Sequence, residues 1–248
     1  MNRDEKKLNI QIQHEYGSKG KSRLQQYQDL VIGSRSLWFL TKFELITLFC
    51  SRVPGALGIL LRKTFYPMIL GKVGHGVVFG TDVWFRHPMK IKIGDRAIVD
   101  DGAFLDAKGD GNHGIRLGNN CYIGRGSILS CKDGNIEFED FVNISTWCNI
   151  SSNSDIVIGE KTLLGPYASI FATSHNFDDV DEAVLDHGWT SKGVKIGKNC
   201  WIGARVTVLD GVDIGDNVVL GAGALVNKDI QPNVVAIGAP AKVVKERK

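Results

Sequence analysis

The sequence predicts an all-β fold, a parallel β-solenoid built from hexapeptide repeats and preceded by an apolar helical segment. Three observations predict it. Apolar residues recur at strict six-residue spacing through the C-terminal third of the chain. In each repeat a second apolar or small residue stands two positions earlier, which is typical of a short strand with one buried face. Glycine makes up 29 of the 248 residues, well above its usual share of about 7%, and this excess favours many tight corners.

The repeat is clearest near the C-terminus, where six consecutive hexapeptides keep one phase. Glycine follows four of the six apolar positions, so each hexapeptide is predicted to form one short strand and one corner. The six positions are Ile196, Ile202, Val208, Ile214, Leu220 and Val226.

Grouping the hexapeptides in threes and reading backward predicts seven coils of a three-sided prism. The interruptions fall between groups, so every loop is predicted to leave the same edge, and the longest adds 20 residues between Ile170 and Ile196. An antiparallel sandwich is the alternative, but its hairpins would not keep a six-residue phase. The earlier positions are Val73, Phe79, Phe85, Ile93, Val99, Leu105, Leu117, Ile123, Leu129, Ile136, Val142, Cys148, Ile158, Leu164 and Ile170.

Charge divides the chain near residue 72. Residues 1–72 hold 12 Lys and Arg against 5 Asp and Glu, whereas the remainder holds 18 against 22. A basic N-terminal piece therefore precedes a mildly acidic body. Residues 1–35 are polar without a clear period, and we expect them to be partly flexible.

Residues 36–72 are predicted to form two helices that cap the first coil. Ser36 can cap a helix through Cys50, ended by Pro54, and a second helix is expected to reach Lys63. A membrane contact is the added hypothesis, because aromatic and basic side chains alternate here. These are Trp38, Phe39, Phe43, Phe49, Phe65 and Tyr66, with Lys42, Arg52, Arg62 and Lys63.

Localisation follows from two further features. The five cysteines form an odd set without a C-x-x-C pair, and the N-terminus lacks the apolar run of a secretory signal. The uncharged runs are also shorter than the roughly 20 residues of a membrane-spanning helix. We therefore expect a cytoplasmic protein, with peripheral contact at the inner face of the membrane as an option.

Two segments, residues 196–244 and 171–179 (FATSHNFDD), resemble the hexapeptide-repeat acetyltransferases. The resemblance implies a left-handed parallel β-helix and a homotrimer. It places the β-helix domain at 73–232 with an acceptor loop at 174–193, and a coenzyme A-binding tail at 233–248. Residues 50–70 further resemble the subgroup found with exopolysaccharide and lipopolysaccharide biosynthesis, which is related to the galactoside and maltose acetyltransferases.

His175 is the catalytic residue that the resemblance implies. A histidine at a loop root can titrate near neutral pH, as a general base must. The family's chemistry is direct transfer of acetyl from acetyl-CoA to a hydroxyl, and the backbone N–H of Ala204 is the implied oxyanion donor. The chain also lacks the G-x-S-x-G motif of a serine nucleophile.

The resemblance also implies the binding residues. Trp201 could equally be a corner packing residue, the lysines solvated, and Asp178 a solvated loop acid. Asn149 resembles a substrate-contacting asparagine, although asparagines also form ladders in solenoids. The acetyl-CoA set is Trp201, Ala204, Ala222, Asn227, Lys228, Lys242 and Lys245, and the acceptor set is Asn149 and Asp178.

Other ligands are not expected. The histidines lack the close spacing of zinc enzymes that share this prism, so we predict no metal, and no nucleic acid partner is expected. The sequence therefore predicts an acetyl-CoA-dependent O-acetyltransferase for a glycan or saccharide precursor. The alternatives are acetylation of a small acceptor such as a simple sugar, serine or an antibiotic, and a non-catalytic scaffold at the membrane.

Overall fold

A computed structural model describes residues 20–181 and 183–247. Three parallel sheets, here called A, B and C, form the walls of a prism, with strands numbered in chain order. Sheet A contains β1 (Lys72–Val73), β4 (Ile91–Ile93), β7 (Ile115–Leu117), β10 (Ile136–Phe138), β13 (Ile156–Ile158), β18 (Val194–Ile196) and β21 (Asp213–Ile214).

Sheet B is the longest wall and continues past the seventh coil. It contains β2 (Val78–Phe79), β5 (Ile98–Val99), β8 (Tyr122–Ile123), β11 (Asn143–Ile144), β14 (Leu163–Leu164), β19 (Trp201–Ile202), β22 (Val219–Leu220), β24 (Val234–Ile237) and β25 (Lys242–Glu246). The pairing of β22 with β24 is parallel, whereas β25 runs antiparallel along β24.

Sheet C carries the strands from which the loops depart. It contains β3 (Trp84–Arg86), β6 (Phe104–Asp106), β9 (Ile128–Cys131), β12 (Asn149–Ser152), β15 (Ser169–Ala172), β20 (Thr207–Val208) and β23 (Leu225–Val226). A separate two-stranded ribbon, β16 (Ser174–His175) with β17 (Trp189–Thr190), lies in the long insertion between β15 and β18.

The predicted parallel β-helix is confirmed, and the architecture is consistent with the left-handed sense that the resemblance implies. Seven full turns are followed by a partial eighth, formed by a bridge from Ile214 to Ile230 and by β24. Residues 233–248 were expected to form a coenzyme A-binding tail. The beginning of this segment, β24, instead continues the prism.

The predicted phase is wrong in the fourth turn. Phe138 pairs with Leu117, and Ile144 pairs with Ile123, so the register positions lie two residues after those predicted. The reason is that both apolar residues of a repeat point inward. Ile136 and Phe138 are each at most 1% exposed, so the pattern alone does not distinguish them.

Helices close the N-terminal end. They are α1 (Arg23–Tyr27), a π-helical segment (Gln28–Ile32), α2 (Leu37–Cys50) and α3 (Gly55–Phe65), with 3₁₀ turns at Tyr66–Met68 and Pro88–Lys90. The predicted cap of α2 is confirmed, because the Ser36 Oγ accepts a hydrogen bond from the Phe39 N–H at 3.2 Å. No helix among the described residues is long and apolar enough to cross a bilayer.

Part of the segment expected to be flexible is ordered. Leu30 and Ile32 are buried, and Ile32 joins the main apolar core. The His87 Nε2 also lies 2.7 Å from the Asp29 carbonyl oxygen, which fixes the π-helical segment to the prism. Residues 1–19 lie outside the described part of the chain.

A buried arginine joins the helices to the first turn. The Arg62 Nε donates to the Phe79 carbonyl at 2.9 Å, and Nη1 donates to the carbonyls of Val53 and Cys50 at 2.7 and 3.1 Å. Gly58 makes room for this corner, because a Cβ there would lie 1.7 Å from the Val53 oxygen.

Three aromatic rings complete the closure. Tyr66 packs edge-on against Phe79 and Phe85 with ring centroids 5.1 and 5.2 Å apart. Arg62, Tyr66 and Phe43 are therefore buried parts of the cap, which corrects their inclusion among side chains suited to a membrane interface.

Candidate active site

His175 lies at the root of the long insertion, where the chain leaves sheet C. Two residues separate it from the end of β15, and in the β16–β17 ribbon it stands opposite Trp189. Its side chain is exposed. The prediction that the loops leave one edge is confirmed, because residues 87–90, 107–114, 132–135, 153–155 and 173–193 all connect sheet C to sheet A. We call this the loop edge.

Polar side chains fix the root of the loop. The Asn176 N–H donates to the Gly188 carbonyl at 3.2 Å, and its Nδ2 donates to the His187 carbonyl at 3.1 Å. The Ser191 Oγ donates to the Ala172 carbonyl, and the Asp210 carboxylate accepts from the N–H groups of Lys192 and Gly193. The position of Asn176 directly after His175 was the only signal in the sequence for this arrangement.

The structure does not join His175 to the predicted acids. Within residues 20–181 and 183–247 the imidazole has no hydrogen-bond partner, and Asp178 is exposed. The Asp179 Oδ1 instead accepts from the Asp181 N–H at 2.9 Å, which is a local loop turn. His175 is therefore held by its backbone ribbon, and its ring is free to meet a ligand.

Ala204 lies at a different corner, between sheets B and C. Its N–H donates to no group in the described part of the chain, as an oxyanion donor requires. Small residues stack at this corner in successive turns, with Ala204 followed by Ala222. A Cβ at Gly203 would lie 2.7 Å from the Ala222 nitrogen, so position 203 has no room for a side chain. We call this the small-residue corner.

Trp201 and Lys245 share one row across sheet B. Trp201 pairs with Val219, Val219 with Val235, and Val235 with Lys245. At about 4.8 Å per strand, Trp201 and Lys245 lie roughly 14 Å apart along the wall. Trp201 is 57% exposed on a strand, so the structure does not place it as a corner packing residue.

The remaining predicted residues distribute over both sides of sheet C. Asn227 and Lys228 follow β23 at the loop edge, and Lys242 is exposed at the start of β25. Asn149 begins β12 and is half-buried, paired with Ser169 one turn on.

The predicted site is thus split within one chain. His175 lies at the loop edge, whereas Ala204 lies at the small-residue corner on the far side of sheet C. With about 3.3 Å per strand residue, the intervening strand and turn separate the two edges by roughly 15 Å. The general base must reach the attacking hydroxyl while the oxyanion donor contacts the carbonyl under attack, and the hydroxyl and the carbonyl are adjacent as they react. Two edges this far apart therefore do not form the predicted site within a single chain.

The cysteines do not offer a competing nucleophile. All five are buried and unpaired. Burial raises the pKa of Cys121 to about 11 and that of Cys131 to about 12, which keeps both as neutral thiols. Among the described residues no three His, Cys, Asp or Glu side chains converge to hold a metal ion.

Comparison with known proteins shows the family of the chain. Residues 193–228 match the family model described as bacterial transferase hexapeptide (six repeats). The chain is 34% identical over 146 residues to WbbJ of Escherichia coli K12, with 53% of this chain and 71% of WbbJ covered. The chain belongs to the hexapeptide-repeat acetyltransferase family. WbbJ is provisionally named an O-acetyl transferase of lipopolysaccharide biosynthesis.

A second relative and a solved structure of the same fold extend the comparison. A Mycobacterium tuberculosis protein, provisionally named an acetyltransferase, is 32% identical over 165 residues, covering 64% of this chain and 55% of its own. The N-acyltransferase AntD of Bacillus cereus, solved with dTDP and 3-hydroxybutyryl-CoA, shares the fold with a TM-score of 0.52 and 19% identity, covering 75% and 88%. The chain spans about half the length of most of the curated relatives it matches.

Proposed function

We propose that the protein transfers an acetyl group from acetyl-CoA to a hydroxyl of a glycan or saccharide precursor, in polysaccharide biosynthesis. The observation that carries the proposal is His175, exposed with an unpartnered imidazole among the described residues, at a hydrogen-bonded loop root. The family membership and the provisional name of WbbJ support the donor and the class of reaction.

His175 would act as the general base in a single transfer. Its imidazole takes the proton of the acceptor hydroxyl as that oxygen attacks the thioester carbonyl. The Ala204 N–H donates to the carbonyl oxygen as negative charge develops there. His175 then gives the proton to the departing sulfur as the carbon–sulfur bond breaks, so acetyl and proton are exchanged without an acyl-enzyme.

The chain would bind acetyl-CoA along sheet B and the small-residue corner. Ala222 keeps that corner narrow, the exposed Trp201 ring offers an apolar wall, and the exposed Lys242 and Lys245 offer cations for phosphates. Asn227 and Lys228 at the loop edge would contact the same ligand from a second subunit, and Asn149 and Asp178 are proposed for the acceptor.

The split site supports a homotrimer as the functional unit. In a closed ring, the small-residue corner of one subunit can face the loop edge of the next, which joins Ala204 to His175 across an interface. Three equivalent sites would result. A monomer would bind neither reactant in a productive geometry.

The first experiment compares His175→Ala with His113→Ala, which removes another exposed histidine on the loop edge. We expect His175→Ala to lower acetyl transfer by about 100- to 10,000-fold, the usual contribution of a general base, with unchanged acetyl-CoA affinity. Transfer is measured with labelled acetyl-CoA to a simple galactoside and to a membrane extract of the source cells. Equal activity of both variants would overturn the role of His175.

Acetyl-CoA binding by calorimetry tests the donor separately. We expect binding by the wild type that weakens about tenfold in Lys242→Ala, since a cation–phosphate contact contributes about 1.5 kcal/mol or more. No binding at millimolar acetyl-CoA would refute the donor and favour a non-catalytic scaffold. Transfer to the free galactoside alone would favour a small acceptor.

Complementation tests the shared site. His175→Ala and Trp201→Ala are co-expressed so that mixed trimers form, and about a quarter of the interfaces then pair an intact loop edge with an intact corner. Activity above that of either variant alone is expected. If a mixture is no more active than its parts, each site lies within one chain.

A further inference from the structure

Helix α2 is apolar on both of its faces, yet the prism buries only one. Phe43, Ile46 and Cys50 pack into the core of the cap. The opposite side of the helix shows Trp38, 76% exposed, and Phe49, 65% exposed, to solvent. A helix that is apolar all round is ordinarily buried, whereas this face is covered by none of the described residues.

Helix α3 adds to the same surface. Its buried residues Gly58 and Arg62 face the first turn, while Leu57 and Leu60 are exposed. Since both helices bury one side against the end of the prism, their opposite sides face outward along the prism axis. We define the outer cap surface as Trp38, Leu45, Leu48, Phe49, Leu57 and Leu60.

Cations accompany this apolar surface. Lys63 is exposed, and the Arg52 side chain is 77% exposed, with its Nε 3.4 Å from the Asp82 carboxylate. Lys42 lies 5.2 Å from the Phe39 ring. Glu44 is the only acidic residue between 36 and 72, and its carboxylate accepts a hydrogen bond from the Tyr27 hydroxyl. The apolar face therefore carries an excess of positive charge.

We propose that the outer cap surface docks the protein on the surface of an anionic lipid bilayer. Large apolar and aromatic side chains flanked by lysine and arginine suit the boundary between acyl chains and anionic headgroups. A partner protein would need acidic side chains placed opposite each of these cations, whereas an anionic leaflet presents negative headgroups over its whole surface. The capping role alone does not require an apolar outer face, because the other side of each helix already closes the core.

Docking fixes the height of the candidate active site. The site lies in the fifth turn, four strand spacings of about 4.8 Å above the first, and the helices add about 10 Å. His175 then stands roughly 30 Å from the bilayer. This consequence rests on the proposed function: the acceptor is a lipid-linked oligosaccharide long enough to span that distance, rather than a single sugar on its lipid.

The binding experiment uses the full chain without acetyl-CoA and measures flotation with vesicles. One set is phosphatidylcholine alone, and the other contains about 30% phosphatidylglycerol. We expect the wild type to float with the anionic vesicles and far less with the neutral ones. Trp38→Gln/Phe49→Gln should lose at least about tenfold in vesicle affinity, because two interfacial aromatic side chains are removed.

A matched control replaces the same two residue types at corners of the prism, away from its N-terminal end. Trp147→Gln/Phe141→Gln removes aromatic residues that are 55% and 47% exposed, and it should float as the wild type does. Arg52→Gln/Lys63→Gln should weaken binding to anionic vesicles by roughly fivefold for each cation removed, whereas Lys92→Gln/Lys195→Gln should not. Circular dichroism confirms that each variant is folded.

Three outcomes would overturn the proposal. The first is that the wild type does not float with anionic vesicles, and the second is that the two aromatic double variants lose equal affinity. The third is that the cap variant, Trp38→Gln/Phe49→Gln, changes the subunit number in sedimentation, which would make the surface a protein interface. Transfer to a free galactoside is measured in parallel. If the cap variant keeps this transfer activity but loses vesicle binding, docking has failed while the proposed transferase activity has not.

Discussion

The two ends of the prism are closed in different ways. At the N-terminal end, two helices bury a guanidinium and three aromatic rings over the first turn. At the C-terminal end, one antiparallel strand, β25, lies along β24 with all five of its residues exposed. Both ends face the same problem of an open apolar cross-section. The difference indicates that the N-terminal helices do more than close the core, whereas β25 contributes little to closing it.

The largest expected effect is on the N-terminal closure. Arg62→Ala removes four hydrogen bonds to backbone carbonyls, made by a side chain that is 1% exposed, and deprives those carbonyls of this donor. We expect a loss of about 3 kcal/mol or more in unfolding free energy, measured by urea denaturation. Arg52→Ala, which removes an exposed arginine, should cost under about 1 kcal/mol. Equal losses would contradict the anchoring role of Arg62.

Ser36→Ala tests how far the start of α2 supports the same closure. Loss of the hydrogen bond from the Phe39 N–H to the Ser36 Oγ should lower the unfolding free energy by about 1 kcal/mol. Thr41→Ala, an exposed position in the middle of α2, serves as the control. Because alanine is the better helix former there, that variant should be neutral or slightly more stable.

Ending the chain at Ala241 removes β25 and tests the other end. Since its residues are exposed, ladder hydrogen bonds are offset by the entropy of ordering the strand, and we expect a loss under about 1 kcal/mol. Acetyl-CoA affinity should fall by about tenfold or more, because Lys242 and Lys245 are lost together. If the truncated chain were already unfolded at room temperature without denaturant, β25 would be essential for closing the C-terminal end.

The smallest effect concerns acid and the segment attached through His87. Burial lowers the pKa of His87 below its ordinary value of about 6.5. Below about pH 6.5 the unfolded chain takes up a proton on this ring that the folded chain does not. Stability is therefore lost as the pH falls from 6.5 through the lower folded pKa, and it is unaffected above that range. His87→Asn should flatten this part of the stability curve, and an unchanged curve would rule out the linkage.

The sequence was sufficient for the prism and for the start of α2, because both depend on local patterns. Hexapeptide spacing reports inward-facing side chains, and Ser36 precedes an apolar run. The phase of the fourth turn was mispredicted because Ile136 and Phe138 are both buried, so either could serve as the register position. The burial of Arg62 depends on carbonyls 9 to 17 residues away, which no local pattern reveals.

The candidate site was predicted less completely than the fold. The position of His175 at a loop root follows from the break in the repeat, but its anchors Asn176 and Asp210 act through hydrogen bonds to distant backbone. The separation of His175 from Ala204 by the width of sheet C becomes apparent only when each residue is assigned to an edge. A resemblance that lists site residues does not say how many chains supply them.

The placement of every loop at one edge also has a consequence for how such a protein can diversify. Residues 173–193 leave and rejoin the prism without interrupting a ladder, because β15 still pairs with β12 and β20, and β18 with β13 and β21. Doubling the length of a flexible loop costs only about 0.6 kcal/mol in closure entropy. Segments of new length and composition can therefore be exchanged at that edge while the scaffold stays intact, so that the surface offered there can change without a change in the prism.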